Sequence, residues 1–249
     1  YWARYVERSE VLDRGLSGRL SLRQDCHFVF GGDAVDKGDG DLEVLRDLVE
    51  LKRQHPDRVH LLIGNRDANK LRLVQELSEA ALQRPCRPVW WTHIVKAPPP
   101  GPSACATERL RWILHETMGA QVPDAFELRR AELAELRLHQ GESEVCRAVP
   151  VSDEEVVQSF REMAAPGGLM EEYLSLAEIA VHYEEGALFV HGAVDRDNAG
   201  VLPFQASSAE RPLRLELPEW CSRLNAFAGA QMEKWRAGGW AIQGVWSEE

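Results

Sequence analysis

The sequence has little of what disulfide-bonded, zinc-binding or membrane-spanning proteins need. Its five cysteines are scattered, odd in number and free of any Cys-x-x-Cys spacing. This pattern excludes a disulfide framework and a structural zinc site, and it is typical of a reducing cytosol. The sequence contains no run of about 18 apolar residues, so no membrane span is predicted. The first ten residues also lack the apolar core of a signal peptide, so we expect a cytoplasmic location.

Positive charge is scarce as well. The 249 residues include 29 Lys and Arg against 40 Asp and Glu, which gives a formal net charge of −11. A chain with this excess of acid repels a phosphate backbone, so nucleic acid is not an expected partner. Bound divalent cations, in contrast, suit it. The apolar content of 44% is that of an ordinary globular protein, and no membrane partner is expected.

Apolar runs and helical periodicity predict an α/β unit in the first third of the chain. His27–Phe30 and Val59–Ile63 are short apolar runs that stop at glycine, as buried strands do. The spacing between them predicts a helix from Asp41 to about Gln54, with Asp39 or Asp41 as its N-cap. The two strands are therefore expected to be parallel neighbours. The loops beyond their carboxyl ends are the places where open α/β sheets carry reactive groups.

The remaining chain is predicted to be mostly helical, with one hairpin. Further helices are predicted at 1–20, 68–84 and about 222–236. Residues 97–176 are interpreted as a helical insertion or cap with solvated charged faces. Within them, Ser152-x-x-Glu155 has the pattern of a capping box. Ile179–His182 and Ala187–Val190 have the pattern of a hairpin that ends at His191. Trp90-Trp91 either stacks a base or, more commonly, forms a buried aromatic pair.

Three predicted strands each end in glycine plus polar side chains. These ends are Gly32–Gly38, Gly64–Asp67 and His191-Gly192. Carboxylate and amide oxygens suit Mn²⁺, Mg²⁺ or Fe, and imidazole suits Zn, Fe or Mn. A carboxylate shared by two metals is what a centre for in-line displacement at phosphorus requires. Taken singly, however, a Gly-Asp turn or a histidine after a strand is more often structural.

The order of the three segments carries more information than any one of them. VFGGDAVDKG, LLIGNRDANK and LFVHGAV follow one another along the chain. Together they resemble the calcineurin-like metallophosphoesterases, particularly the Ser/Thr protein phosphatases and their diadenosine-tetraphosphatase relatives. That family has Gly-Asp-x-x-Asp-x-Gly, then Gly-Asn-His-Asp/Glu, then a strand ending in His-Gly-Gly. The match covers mainly residues 28–72 and 178–195.

The resemblance implies a fold and a reaction. The fold is α/β: a metallophosphoesterase β-sandwich flanked by helices, formed as a single domain over residues 1–249, with the helical insertion at 97–176. The reaction is metal-dependent hydrolysis of a phosphoric ester or anhydride, in which two divalent ions (Mn, Fe, Zn or Mg) activate water. The family's first Asp-x-His motif and last Gly-His motif are absent from these residues. We therefore expect them before Tyr1 and after Glu249, with the domain incomplete at both ends.

The resemblance also assigns metal ligands and substrate contacts by position. Asp33 corresponds to the carboxylate that bridges both metals, and Asn65 and His191 correspond to ligands of the second metal. Lys37 stands where the protein phosphatases carry a phosphate-binding arginine, so it keeps the charge but loses the bidentate geometry. Arg66 is grouped with Lys37 as a substrate-binding residue.

Three residues are assigned to catalysis. Asp36 corresponds to an outer acid that orients the catalytic group of the next motif, and Asp67 stands at the acidic position of that motif. Arg66 replaces the family's general-acid histidine. Arginine does not release its proton at working pH, although it stabilises charge on a phosphoryl oxygen. Either the leaving group needs little protonation, or another residue supplies the proton, or catalysis is lost. Alternatively, Arg66 forms a structural ion pair with Asp36.

Two functions follow from these observations. The first is an active hydrolase whose substrate is a phosphorylated small molecule or phosphoprotein. Because Arg66 cannot act as an acid, dinucleotide polyphosphates and similar anhydrides are predicted to be better substrates than phosphoserine. The alternative is a catalytically weak relative that acts as a binding or scaffold protein and contacts a protein partner through the helical insertion.

Overall fold

A computed structural model describes residues 2–16, 18–86, 97–102, 104–139, 149–183, 186–202 and 214–238. Trp90-Trp91 lies outside these residues. The strands are β1 (Leu12–Arg14), β2 (Leu20–Leu22), β3 (Phe28–Phe30), β4 (Val59–Leu61), β5 (Ala180–Tyr183) and β6 (Ala187–Val190). The helices are α1 (Trp2–Arg8), α2 (Asp41–Gln54), α3 (Asn65–Lys70), α4 (Leu73–Glu76), α5 (Glu79–Leu82), α6 (Ala106–Trp112), α7 (Ala125–His139), α8 (Asp153–Ala164), α9 (Leu169–Leu176) and α10 (Leu217–Arg236). A π-helical turn, Ile113–Thr117, continues α6.

The predicted βαβ unit is confirmed. Strands β3 and β4 pair in parallel, with Phe28 opposite Val59 and Phe30 opposite Leu61. Helix α2 connects them over the predicted residues. Its N-cap is Gly40 rather than Asp39 or Asp41. The prediction of the cap was wrong because Asp41 lies inside the helix and its carboxylate bonds a preceding loop instead.

The topology brings the end of a separate two-stranded sheet, β5–β6, beside the carboxyl ends of β3 and β4. Leu62 and Glu178 form a parallel bridge, and the amide of Glu178 donates to the carbonyl of Leu61 at 2.8 Å. Strand β5 therefore starts beside the carboxyl end of β4. The predicted hairpin is confirmed, since β6 returns antiparallel with Val190 opposite Ala180. This return places the end of β6, and His191 after it, near the loop that follows β4.

Two predicted helices differ from the structure. The helix over 1–20 is limited to α1, and β1 and β2 form an antiparallel hairpin in the rest. Gly18 adopts a left-handed backbone (φ 78°), which a helix does not tolerate and which a turn requires. The helix over 68–84 is three short helices, because Ser78 caps α5 by accepting a hydrogen bond from the Ala81 amide at 3.3 Å.

The helices of residues 97–176 pack onto the core of the βαβ unit. Helix α9 lies against α2, and α8 lies against α4, α6 and α7. Phe126, Phe160 and Tyr173 belong to the same buried apolar cluster as Phe28 and Leu61. The predicted capping box at Ser152 and Glu155 is present. A second, smaller cluster forms where α10 packs on β5. None of the described helices has the length and apolar character that a membrane crossing needs.

Candidate active site

The loop after β3 holds two aspartates in an unusual backbone conformation. Asp33 (φ 55°) and Asp36 (φ 79°) are both in the left-handed region, as is Gly32 (φ 84°). Side chains other than glycine adopt this region at a cost, and such residues cluster at functional sites. A β-carbon at Gly32 would lie 2.8 Å from the Gly64 nitrogen and from His191 Nδ1. Glycine at position 32 therefore allows all three strand ends to meet.

Asp67 fastens this loop to the start of α3. The residue is completely buried, and its carboxylate accepts from the backbone amides of Asp33 (2.8 Å), Ala34 (2.9 Å) and Gly64 (3.0 Å). Burial raises the pKa of Asp67 to about 6, against the opposing effect of these amide bonds. Asp67 was predicted to be catalytic. Its contacts hold the two loops together, and the catalytic assignment stays a prediction.

Gly64 is the point of closest approach between the two loops. A β-carbon there would overlap the Asp33 amide nitrogen and carboxylate, and it would lie 2.8 Å from Asp67 Oδ2. The backbone of Gly64 itself is extended (φ −87°), so contact and not conformation requires glycine. Replacing Gly64 with any larger residue must separate the Asp33 loop from α3.

We expect Gly64→Ala to lower the free energy of unfolding by about 1–3 kcal/mol, the usual cost of overpacking. Urea denaturation followed by circular dichroism would measure the change. Gly31→Ala is the matched control, because a β-carbon at Gly31 has no atom within 4 Å. Equal stability of the two variants would show that the loops are not in contact.

The three predicted metal ligands meet at one point. His191 Nδ1 lies 2.7 Å from the Gly31 carbonyl oxygen, to which it donates. Its Nε2 lies 3.2 Å from Asn65 Oδ1 and 3.5 Å from Asp33 Oδ1. A ring nitrogen fixed in this way by a backbone carbonyl is the usual arrangement of a metal-binding histidine. In the neutral imidazole with the proton on Nδ1, the Nε2 lone pair and the two oxygens offer three donor atoms to a cation.

The chemistry of these donors fits one divalent ion. A carboxylate oxygen, an amide oxygen and an imidazole nitrogen suit Mn, Fe or Mg, and Zn with the imidazole. Within the described ranges, no group of three or more His, Cys, Asp and Glu side chains lies close enough together to hold a metal. The cluster of Asp33, Asn65 and His191 therefore depends on the Asn65 amide for its third donor.

Arg66 faces Asp33 and does not form the alternative ion pair with Asp36. Its Nε lies 3.6 Å from Asp33 Oδ2, and its backbone amide donates to Asp33 Oδ1 at 3.1 Å. Lys37 Nζ donates to the Gly119 carbonyl at 3.0 Å. Arg66 Nη2 is also 4.0 Å from the position of a β-carbon at Gly119. Both predicted substrate-binding cations thus border the turn that follows the π-helical segment.

Asp36 lies beneath the site and not in it. The residue is completely buried, and its Oδ2 accepts from Lys70 Nζ at 2.5 Å. Its amide donates to the Asp41 carboxylate at 3.1 and 3.2 Å. Burial raises the pKa of Asp41 to about 6, while the Arg129 guanidinium opposes the rise. Asp36 was predicted to orient the residue at position 66, and its side chain pairs with Lys70 instead.

The sequence did not indicate the buried charges Lys70 and Arg129, and it gave Asp41 only as a candidate N-cap. Lys70 offered one signal in the sequence, its place at the end of the segment LLIGNRDANK beside the apolar Leu71.

Two clefts flank the site. One, of about 590 Å³, passes Asp33 and Lys37 and is lined by aromatic side chains including Trp2. The other, of about 510 Å³, is mostly apolar and has His191 at its edge.

Comparison with known proteins gives one partial similarity. A 68-residue stretch, 27% of this chain, is 38% identical to the serine/threonine-protein phosphatase sitA of Aspergillus fumigatus and covers 18% of that protein. No protein-family model matches the chain. No solved structure matches it either. The chain therefore contains a stretch that is similar to part of a serine/threonine phosphatase.

Proposed function

We propose that this protein is a metal-dependent hydrolase of phosphoric esters or anhydrides. The observation that carries the proposal is the convergence of Asp33, Asn65 and His191 from three strand ends. Residues this far apart in the sequence meet because the ends of β3, β4 and β6 lie beside one another, across two sheets that one parallel bridge connects. The partial similarity to a serine/threonine phosphatase supports the same reaction class.

Each of the three donors has a distinct part in the proposal. Asp33 Oδ1, Asn65 Oδ1 and His191 Nε2 would hold a divalent ion, and Gly31 keeps the imidazole in the required tautomer. A bound divalent ion supplies positive charge and lowers the pKa of a coordinated water. The family resemblance implies a second ion, of the Mn, Fe, Zn or Mg type. The described residues bring together donors for one.

Lys37 and Arg66 are proposed to bind the phosphoryl oxygens. Arg66 keeps its proton at any working pH, so its role is electrostatic. A substrate whose leaving group departs without a proton is then hydrolysed faster than one that must release an alkoxide. We therefore propose that anhydrides such as dinucleotide polyphosphates are better substrates than phosphoserine proteins. The scattered cysteines of the sequence are the basis on which we propose a cytoplasmic location.

A second candidate function rests on Arg66 as well. Its guanidinium lies 3.6 Å from Asp33 Oδ2, an oxygen that the resemblance assigns to metal. A permanent cation at this position disfavours a second metal there. The alternative is therefore a catalytically weak binding or scaffold protein, with residues 97–176 as its contact surface for a protein partner.

Three substrates distinguish these functions. With Mn²⁺ present, we expect turnover of p-nitrophenyl phosphate and diadenosine tetraphosphate. A phosphoserine peptide should react at least about 10²-fold more slowly, since general-acid catalysis typically contributes that much. Arg66→His is the informative variant. It is expected to reduce the difference in rate between diadenosine tetraphosphate and the phosphoserine peptide. Faster reaction of the phosphoserine peptide would refute the substrate preference. Mn²⁺ binding without turnover of any of the three would favour the scaffold.

A further inference from the structure

Lys70 is a cation with no access to solvent directly beneath the candidate site. Its side chain is completely buried at the end of α3. The ammonium group lies 2.5 Å from Asp36 Oδ2 and 3.1 Å from Met118 Sδ. A charge in this position is stabilising only while its partner stays in place, because removing one member of a buried pair leaves the other without compensation.

Asp36 depends on this contact. Its side chain is also completely buried, and among the described residues its Oδ1 has no hydrogen-bond partner. The hydrogen bond that the structure shows to the Asp36 carboxylate is therefore the one donated by Lys70. The backbone of Asp36 is left-handed, a conformation that persists where the surroundings enforce it. The neighbouring residue, Lys37, takes its direction from that backbone.

The pair connects the parts of the site that come from different segments. Helix α3 begins with Asn65 and Arg66 and ends with Lys70. The loop after β3 carries Asp33 before Asp36 and Lys37 after it. The third segment is the turn of Met118 and Gly119, where Lys70 contacts the sulfur and Lys37 contacts the carbonyl. The Lys70 ammonium group thus contacts Asp36, which precedes Lys37 in the chain. It also contacts Met118, which precedes the Gly119 whose carbonyl accepts from Lys37.

We propose that Lys70 is a positioning residue, which holds the loop of Asp33 and Lys37 in register with Asn65 and Arg66. This inference rests on the proposed function, since it names how that site is kept in order. Lys70 does not act on the substrate itself, because no part of its side chain is exposed. Its effect reaches the site through Asp36 and the turn at Gly119.

The test separates positioning from plain stability. Lys70→Met is expected to lower kcat for p-nitrophenyl phosphate by about 10²-fold, because misplacing binding groups by about 1 Å costs that much. It should also lower the urea midpoint, since Asp36 is left buried and unpaired. Lys70→Arg keeps the charge and should recover part of kcat. Lys52→Met is the control, because Lys52 is at the surface and donates to the nearby Pro56 carbonyl at 2.7 Å.

The double variant Lys70→Met with Asp36→Asn removes both charges. We expect its urea midpoint to return most of the way to that of the parent protein, while kcat/KM stays at least about tenfold low. Recovery of kcat/KM together with the midpoint would mean that Lys70 is merely structural and would overturn the proposal.

Hydrogen exchange keeps this test independent of turnover. In the double variant, the amides of residues 33–38 are expected to exchange at least about tenfold faster, while those of α2 stay unchanged. This result would support the positioning role even if the parent protein hydrolysed nothing. Unchanged exchange at residues 33–38 would contradict it, whatever the activity.

Discussion

Asp33→Asn is expected to reduce Mn²⁺-dependent hydrolysis of p-nitrophenyl phosphate by about 10²–10³-fold, the loss typical of removing one electrostatic group from an active site. The carboxylate of Asp33 is the charged donor of the cluster, with His191 Nε2 at 3.5 Å from Oδ1. It also faces Arg66 through Oδ2 at 3.6 Å. The amide of asparagine keeps the shape but carries no charge. The substitution therefore weakens both the attraction for a divalent ion and the contact that holds Arg66 in place.

Asp39→Asn is the matched control for this variant. Asp39 lies in the same loop, makes the same change of charge on substitution, and is exposed. We expect it to keep activity within about twofold, since exposed charges contribute little. Calorimetric titration with Mn²⁺ gives a second measurement, in which Asp33→Asn should bind at least about tenfold more weakly. Parent-level turnover and affinity in Asp33→Asn would rule out the proposed ligand set.

Arg129→Met is expected to lower the free energy of unfolding by about 3–5 kcal/mol, the usual cost of removing one member of a buried ion pair. The guanidinium of Arg129 is completely buried on α7. It lies 3.4 Å from Asp41 and 2.9 Å from Glu132, and donates to Ser159 at 3.0 Å. Glu132 in turn accepts from the Leu42 amide at 2.7 Å. One side chain thus joins α7 and α8 to the start of α2.

Arg53→Met serves as the comparison in the same urea experiment. Arg53 pairs with Glu172 at 3.4 Å and is 57% exposed, so its removal should cost at most about 1 kcal/mol. The loss in Arg129→Met should also be smaller at pH 5 than at pH 8. The pKa of Asp41 is already about 6 in the folded parent. Without Arg129 it rises further, so at pH 5 the buried carboxyl is neutral and its isolation costs little. A loss independent of pH would contradict this account.

The helical block is the part of the chain whose role the sequence left most open. Residues 97–176 were interpreted as an insertion or cap with solvated charged faces. Several of their charges are instead buried, among them Arg109, Arg129 and Glu132. A helical periodicity shows which face of a helix is apolar. It does not show that an arginine on that face meets an aspartate 88 positions away.

Local patterns were sufficient for the elements around the site. Strands β3 and β4, helix α2 and the hairpin of β5 and β6 each follow from apolar periodicity bounded by glycine. The predicted helix over 1–20 failed because two glycines favour a turn there more strongly than scattered apolar residues favour a helix. Gly15 and Gly18 close the hairpin, with the Gly18 amide donating to the Gly15 carbonyl at 2.9 Å.

The sequence by itself determined which side chains stand at the strand ends: Asp33, Asn65 and His191 each lie next to a glycine at the end of a predicted strand, and this is a local property. Only the tertiary structure decided the partners of the charges around them. Lys70, not Arg66, pairs with Asp36, and Arg66 turns to Asp33. The physical reason is that an ion pair depends on distance in space, which local periodicity does not encode, whereas a strand and its turn depend on neighbouring residues.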